Sequence, residues 1–195
     1  MIRKAMMCVM AAAMASGFGC SAENRDAAEK VTIRPEKVLI VYYSWSGNTR
    51  VAAEQIRKIT GGTLFEIKTA KAYPAEYDAC VEQAKKECRS GFCPELASKA
   101  GDLAKYDVIF LGTPNWWSTM APPVRTFLTT ENLSGKTIIP FVTHGGGGMA
   151  NCERDMRKIS PNARFAKGGA FSGSGIRSAE SAVKAWINQI ATLPK

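Results

Sequence analysis

The amino-acid sequence predicts an α/β fold in which a parallel sheet is covered by helices on both faces. Apolar runs of strand length alternate along the chain with stretches of helical periodicity, a pattern typical of parallel sheets. Three polar or glycine-rich loops, at 44–49, 113–120 and 143–148, each follow a predicted strand. Because the carboxyl ends of parallel strands meet at one edge of the sheet, we expect these loops to form a single ligand site there.

The first 20 residues have the pattern of a signal peptide. Arg3 and Lys4 precede an apolar stretch at 5–18, which is too short to span a bilayer. Gly19 then precedes Cys20, and this ending resembles a bacterial lipoprotein signal, in which the cysteine becomes the lipid-modified first residue. Ordinary signal cleavage nearby is the alternative. Both interpretations predict export, as a periplasmic protein or as a membrane-anchored lipoprotein of the bacterial cell envelope.

The remaining chain divides into a polar tether at 21–36 and one α/β domain at 37–195. The whole chain has 195 residues and a net charge of +9. Its basic residues are dispersed and no nucleic-acid-binding motif accompanies them, so we expect no nucleic-acid partner. The charge favours anionic partners or an anionic membrane surface.

The first half of the domain contains two strands and two helices. The strand at 38–43 is almost continuously apolar, as expected for a strand buried on both faces. A helix at 51–59 follows and is stopped by two glycines. A shorter alternating strand at 63–68 leads to a helix at 76–89, which Gly91 breaks.

The second half continues the alternation with three strands and three helices. The strands are expected at 107–112, 136–142 and 164–171, and the helices at 122–128, 149–159 and 178–190. Pro122 suits the first turn of a helix, and Ser178 is placed to cap the closing helix. The sheet should therefore have five strands.

The loop at 44–49 has the composition of a phosphate cradle. A helix start presents unpaired N–H groups and the positive end of the helix dipole, and a glycine permits the sharp turn before it. The predicted phosphate-binding residues are Ser44, Ser46, Gly47, Asn48 and Thr49. The loop contains no Lys, so we expect a phosphate monoester that is held and not transferred. A strand–helix turn with a capping Ser or Asn is the alternative.

Four sequence elements together resemble the flavodoxin-like proteins, most closely their bacterial branch with YPADY, WW and THGG elements. These elements are the loop at 44–49, Tyr73-Pro74-Ala75-Glu76-Tyr77, Pro114-Asn115-Trp116-Trp117 and Thr143-His144-Gly145-Gly146. The resemblance runs from about Val38 to Leu193. It implies a flavodoxin-like, doubly wound, five-stranded parallel sheet that binds FMN non-covalently.

The resemblance also implies roles for the two later loops. One side of the isoalloxazine ring would be lined by Thr113, Pro114, Asn115, Trp116 and Trp117. The other ring-edge loop would be formed by Thr143, His144, Gly145 and Gly146. His144 is the only histidine of the chain. It is a candidate catalytic residue that would protonate a quinone-type acceptor or stabilise charge near N1 of reduced flavin, with an orienting or exposed role as the alternative.

Four cysteines remain outside the signal peptide and Cys20. Outside the cytosol they are free to pair, and a local bridge such as Cys88–Cys93 or Cys80–Cys93 is one expectation. Four cysteines allow three complete pairings, which the sequence does not distinguish, and the alternative is that some are small buried apolar residues. Their spacing does not match a zinc pattern, so we expect no metal site.

These observations predict an FMN-dependent redox protein of the cell envelope, acting as an oxidoreductase on quinones or similar acceptors. The alternatives are a non-enzymatic electron carrier that docks to a redox partner, and an FMN-binding module without turnover. No dinucleotide-binding fingerprint is present, and NAD(P)H is not expected outside the cytoplasm. A membrane or protein donor is therefore favoured.

Overall fold

The structure is a computed structural model that describes residues 30–194. Its central sheet has parallel strands at five positions. The first part of the chain consists of β1 (Val31–Thr32), β2 (Val38–Tyr42), α1 (Asn48–Thr60), β3 (Thr63–Glu66) and α2 (Tyr77–Ser90). The middle part consists of β4 (Val108–Trp116), β5 (Thr119–Met120) and α3 (Pro122–Thr130). The last part consists of β6 (Thr137–His144), α4 (Cys152–Ile159), β7 (Arg164–Phe165), β8 (Gly169–Ser172), α5 (Glu180–Ile190) and β9 (Ala191–Thr192).

The strand order of the sheet is β3-β2-β4-β6, with β7 and β8 sharing the last position beside β6. All of these pairs are parallel, and only β5 runs antiparallel, against the end of β4. The chain therefore has the predicted α/β fold. The order reverses between β2 and β4, and in such sheets ligands bind beyond the carboxyl ends of the strands at this reversal.

Helices cover both faces of the sheet because side chains along each central strand alternate between two apolar clusters. In β2, Val38 and Ile40 belong to one cluster, whereas Leu39 and Val41 belong to the other. The first cluster packs under α1 and α5, and the second under α2, α3 and α4. This two-sided burial explains why β2 and most of β4 have continuous apolar sequences.

Residues 30–194 supply two apolar clusters, one on each face of the sheet. The described members of both clusters lie between Val31 and Leu193. Within it, no helix is both long enough and apolar enough to cross a membrane. The predicted signal peptide, Cys20 and residues 21–29 of the predicted tether lie outside the described residues.

The end of the predicted tether belongs to the folded unit. Val31 and Thr32 form β1, which pairs in parallel with β9, and Ile33 is buried in the first cluster. The prediction that 21–36 is entirely a tether was therefore wrong for its last residues. A two-residue strand is too short to produce an alternating pattern, which is why the sequence did not reveal it.

The predicted strand at 164–171 is divided into β7 and β8. In the register with β6, Ile138 faces Phe165 and Phe141 faces Gly169, so one extra residue is accommodated on the outer strand, as in a β-bulge. Pro140 lies opposite this interruption and has no N–H to donate to the ladder.

The ends of two other elements also differ from prediction. Strand β4 continues past Gly112 to Trp116, because Asn115 and Trp116 pair with β5. The predicted Ser178 cap was wrong: the N-cap position of α5 is Ala179, and the Ser178 hydroxyl donates to the Gly175 carbonyl oxygen at 3.1 Å.

Candidate functional site

The loop after β2 forms an anion cradle at the start of α1. Gly47 precedes the helix with φ of +88°, a left-handed conformation that non-glycine residues rarely adopt. The N–H groups of Gly47, Asn48 and Thr49 donate no hydrogen bond to any residue in the range 30–194. The Arg50 N–H donates to Ser44 Oγ at 3.2 Å, which closes the loop. These free donors at a helix start suit an anionic group.

The predicted phosphate residues differ in how open they are. Ser46 is exposed, and Ser44, Gly47 and Asn48 are half-buried. Thr49 is only 1% exposed, and its hydroxyl lies 2.8 Å from that of Thr143. We infer that Thr49 contributes its backbone N–H to the cradle, while its side chain joins the loops at 44–49 and 143–148.

Residues after β8 also belong to the cradle, and the sequence reasoning did not assign them. The Gly173 N–H donates to the His144 carbonyl oxygen at 2.9 Å. A Cβ atom at Gly173 would lie 2.7 Å from Asn48 Nδ2, so only glycine lets the Asn48 amide pack there. A polar stretch after the last strand was the one available signal, because it lies at the same edge of the sheet as the other loops.

The end of β4 and the loop after β6 are joined by Asn115. Its Nδ2 donates to the Gly148 carbonyl oxygen at 3.0 Å, and a Cβ atom at Gly147 would lie 3.0 Å from the same nitrogen. Pro114 faces Thr143 in the sheet register. The glycines thus let one loop approach the other closely.

Two of the residues predicted to line a ring have side chains engaged within the fold. Thr113 is fully buried, and its hydroxyl accepts the Ala121 N–H at 2.9 Å. Trp116 packs edge-on against Tyr43 and Tyr73, with ring centroids 5.6 and 5.1 Å apart. Trp116 therefore supports the site from inside as well as lining it.

His144 is held by its own loop. Its Nδ1 accepts the Gly146 N–H at 3.0 Å, which leaves Nε2 as the ring nitrogen that can donate. Gly146 adopts φ of +134°, where an L side chain would be strained. Gly145 is exposed, and both glycines present backbone to the space beyond β6. The arrangement leaves the Nε2–H of the imidazole as a hydrogen-bond donor.

An aromatic cavity of about 300 Å³ opens between the cradle, α2 and the β4–β5 hairpin. It is lined by Trp45, Tyr77, Cys80, Val81, Ala84, Asn115, Trp116 and Trp117. Trp45 donates through Nε1 to the Pro74 carbonyl oxygen at 3.0 Å. Trp117 donates through Nε1 to the Val81 carbonyl oxygen at 3.2 Å. Both indole rings are thus oriented by hydrogen bonds, and the cavity suits a flat aromatic group.

The hairpin that carries Trp117 has an unusual turn. Trp117 and Ser118 have φ of +51° and +64°, as in a type I′ turn, where Asn-Gly is the usual sequence. The Trp117 side chain is 46% exposed, and the Lys85 ammonium lies 5.1 Å from its ring centroid. A strained turn that displays an exposed indole beside a cation is typical of a functional position.

The tyrosines beneath Trp116 are held neutral. Burial raises the pKa of Tyr43. Burial, followed by the hydrogen bond to Glu87, raises the pKa of Tyr73. The Tyr73 hydroxyl donates to Glu87, which also accepts from Gln83 at 2.8 Å. The two tyrosine hydroxyls beneath Trp116 therefore keep their protons, and Tyr73 is fixed by its hydrogen bond.

All four cysteines in the described residues are free, so the expected local disulfide is not formed. The Cys88 thiol donates to the Trp116 carbonyl oxygen at 3.8 Å, whereas the Cys93 thiol lies 4.0 Å from the Thr129 hydroxyl. Cys80 is buried in the second apolar cluster. The thiols are held by different neighbours, so none is paired with another.

We expect stability to fall in alkaline solution because buried thiols resist ionisation. Burial raises the pKa of Cys88 to about 11 and that of Cys152 to about 12. The pKa of a cysteine in the unfolded chain is about 8.5. Between about pH 8.5 and 11 these thiols therefore ionise in the unfolded chain but not in the folded one. Each thiol should then lower the free energy of unfolding by about 1.4 kcal/mol per pH unit. Urea unfolding from pH 7 to 10 measures the slope, and Cys152→Ala should reduce it; an unchanged slope would contradict this origin.

Comparison with known proteins agrees with this architecture. The family model described as flavodoxin matches residues 37–190, about four fifths of the chain. A flavoprotein structure from Bacteroides uniformis is 32% identical, with a TM-score of 0.71, and the match covers 80% of this chain and 99% of that one. A flavoprotein structure from Bacteroides eggerthii is 31% identical with the same TM-score, and the match covers 80% and 98%.

A third similar structure is a flavoprotein in complex with FMN from Lactobacillus acidophilus. It is 26% identical, with a TM-score of 0.62, and the match covers 73% of this chain and 97% of that chain. These matches cover nearly the full length of the three similar proteins, and the family-model match at 37–190 includes the cradle and both later loops of this chain. The chain described here therefore belongs to the flavodoxin family.

Proposed function

We propose that this chain binds FMN non-covalently and transfers electrons through it. The observation that carries this proposal is the cradle at the start of α1, whose free N–H groups and Ser46 hydroxyl suit the phosphate of a mononucleotide. The FMN complex of the similar Lactobacillus acidophilus protein supports the same cofactor. When bound, FMN supplies one-electron and hydride chemistry.

The residues around the cradle have separate roles in this proposal. The phosphate is held by Ser44, Ser46, Gly47, Asn48 and Thr49. The last three contribute their backbone N–H groups. One side of the isoalloxazine ring is lined by Asn115, Trp116 and Trp117, together with the backbone of Thr113 and Pro114. Thr143, Gly145 and Gly146 form the opposite loop. His144 donates a hydrogen bond from Nε2 to the bound ring or to the acceptor, because its Nδ1 accepts the Gly146 N–H.

Equilibrium titration tests cofactor binding. Purified protein should take up one FMN per chain and retain it through gel filtration, and riboflavin should bind much more weakly because it lacks the phosphate. Equal affinity for the two compounds would contradict the role of the cradle.

We further propose that the protein is an oxidoreductase for quinones or similar flat acceptors. The supporting observation is the aromatic cavity, whose outer wall includes Tyr77 and Trp117 with exposed fractions of 67% and 46%. Lys85 lies beside the Trp117 ring, and its positive charge would stabilise an acceptor that becomes negatively charged when it is reduced. A non-enzymatic carrier is the second candidate, because the same exposed aromatic residues would also suit a docked redox protein.

We expect Trp117→Ala to slow electron transfer to a quinone about fivefold. Loss of one aromatic stacking contact costs about 1 kcal/mol, which corresponds to that factor. The measurement is the second-order rate constant for oxidation of the chemically reduced, FMN-loaded protein by a water-soluble benzoquinone. Phe92→Ala is the matched control, since Phe92 is 50% exposed but does not line the cavity. Equal rates for both variants and the parent would contradict quinone contact at Trp117 and favour the carrier.

We also propose that the chain is an exported lipoprotein, with Cys20 as the modified residue. The support lies in the sequence, where a basic start, an apolar stretch and Gly19-Cys20 follow in order. Labelling of growing bacteria with radioactive palmitate should mark the parent chain and not Cys20→Ala. Labelling of both chains would exclude Cys20 as the site.

A further inference from the structure

A basic groove lies at the edge of the sheet opposite the candidate flavin site. It has a volume of about 720 Å³ and is bordered by β1 and the end of α5 and by the starts of β4, β6 and β7. Its charged lining residues are Lys30, Arg34, Asp107, Arg164 and Lys167. Four bases thus face one acid, which leaves an excess of three positive charges.

Only part of this charge is neutralised within the fold. Arg34 Nη2 lies 2.6 Å from Asp107 Oδ2, so this pair is internally balanced. Lys30 Nζ donates to the Asn188 carbonyl oxygen at 2.7 Å, and Arg164 Nη2 donates to the Gly135 carbonyl oxygen at 3.1 Å. These carbonyls orient the two cations without cancelling their charge. Lys167 is also exposed, so three cations remain available to an anionic surface.

We propose that this basic groove rests on the anionic surface of a phospholipid membrane, with lipid phosphates contacting Lys30, Arg164 and Lys167. Clusters of exposed cations near a lipid anchor bind anionic bilayers. The proposal uses the lipidation proposed above, because Lys30 lies ten residues after Cys20. An extended segment of that length spans at most about 36 Å, so an anchored Cys20 keeps the groove close to the bilayer.

This orientation directs the candidate flavin site away from the membrane. Strand β6 runs from the groove, which Thr137 lines, to the candidate site at His144. Seven residue steps of about 3.3 Å separate these ends by about 23 Å. Acceptors should therefore reach the aromatic cavity from the aqueous phase, and quinones held within the bilayer should react slowly.

Vesicle binding tests the groove without lipidation. A chain beginning at Ser21 retains every residue of the two apolar clusters but lacks both the predicted signal peptide and Cys20. It should sediment with vesicles of 30% phosphatidylglycerol in phosphatidylcholine at low salt, and it should dissociate in 0.5 M NaCl because charges are then screened within about 4 Å. Lys30→Glu/Lys167→Glu should weaken this binding at least tenfold.

A second charge-reversed chain separates the groove from net charge. Lys68→Glu/Lys71→Glu changes the net charge by the same amount. Both lysines are exposed and follow β3, which lies at the other end of the strand order from β7. This variant should bind vesicles nearly as well as the parent. Equal losses in both variants, or equal binding of the parent to pure phosphatidylcholine, would overturn the proposal. FMN titration of the same samples reports the cofactor site, so failure of vesicle binding and failure of FMN binding are distinguishable.

Discussion

Substitution of Gly47 by Val should weaken FMN binding at least a hundredfold. Gly47 precedes α1 with φ of +88°, and a β-branched residue there is a severe backbone outlier. A Cβ atom would meet no other atom within 4 Å, so the effect should come from the backbone and not from a clash. Relaxation of the backbone to negative φ turns the N–H groups of Gly47 and Asn48 away from the phosphate.

The expected size follows from the bonds that are lost. Each hydrogen bond to a charged group contributes about 1.5 kcal/mol or more, so two such bonds account for about 3 kcal/mol. That energy corresponds to a factor of about 150 in the dissociation constant. Fluorescence titration with FMN measures it directly, because bound flavin and free flavin differ in emission.

Gly135→Val is the matched control for this substitution. Gly135 has φ of +73°, and a Cβ atom there would also meet no other atom within 4 Å. It lies just before β6, at the edge of the sheet far from the cradle. Both variants should lose about 1–3 kcal/mol of stability from backbone strain, but only Gly47→Val should lose FMN. Equal affinities in the two variants would place the phosphate elsewhere.

Most of the fold could be predicted because its strands are long and buried on both faces. A run such as Val38–Tyr42 leaves few alternatives to a central parallel strand, and the turns at Gly61 and Gly91 mark where helices end. The elements that escaped prediction are those set by contacts distant in sequence. Strand β1 exists because β9 pairs with it, and β7 is separated from β8 opposite Pro140.

The candidate site was predictable in outline and not in detail. Residue types after β2, β4 and β6 indicated three converging loops, because sheet topology brings such loops together. The Thr49–Thr143 contact could not be foreseen, since a hydroxyl at a helix start indicates an N-cap or a phosphate ligand, whereas these two bond each other in the core. The turn at Trp117 and Ser118 also lacks the glycine that normally signals a hairpin.

Substitution of Gly112 by Ala should destabilise the fold by about 3 kcal/mol. Gly112 lies in β4 opposite Phe141 of β6, and a Cβ atom there would be 2.2 Å from Phe141 Cζ. Both strands are central and fully buried here, so neither backbone can move away and overpacking is costly. Urea unfolding measures the loss. Gly175→Ala is the control, because its added methyl group meets no atom within 4 Å and should leave stability nearly unchanged.

The cause can be isolated by changing the ring that the new methyl group meets. Phe141→Leu alone removes buried volume and should cost about 1–2 kcal/mol. In Gly112→Ala/Phe141→Leu the methyl group occupies part of the vacated space, so the double variant should lose at least 1 kcal/mol less than the sum of the single losses. Additive losses would show that Gly112 is required for another reason than its contact with the Phe141 ring.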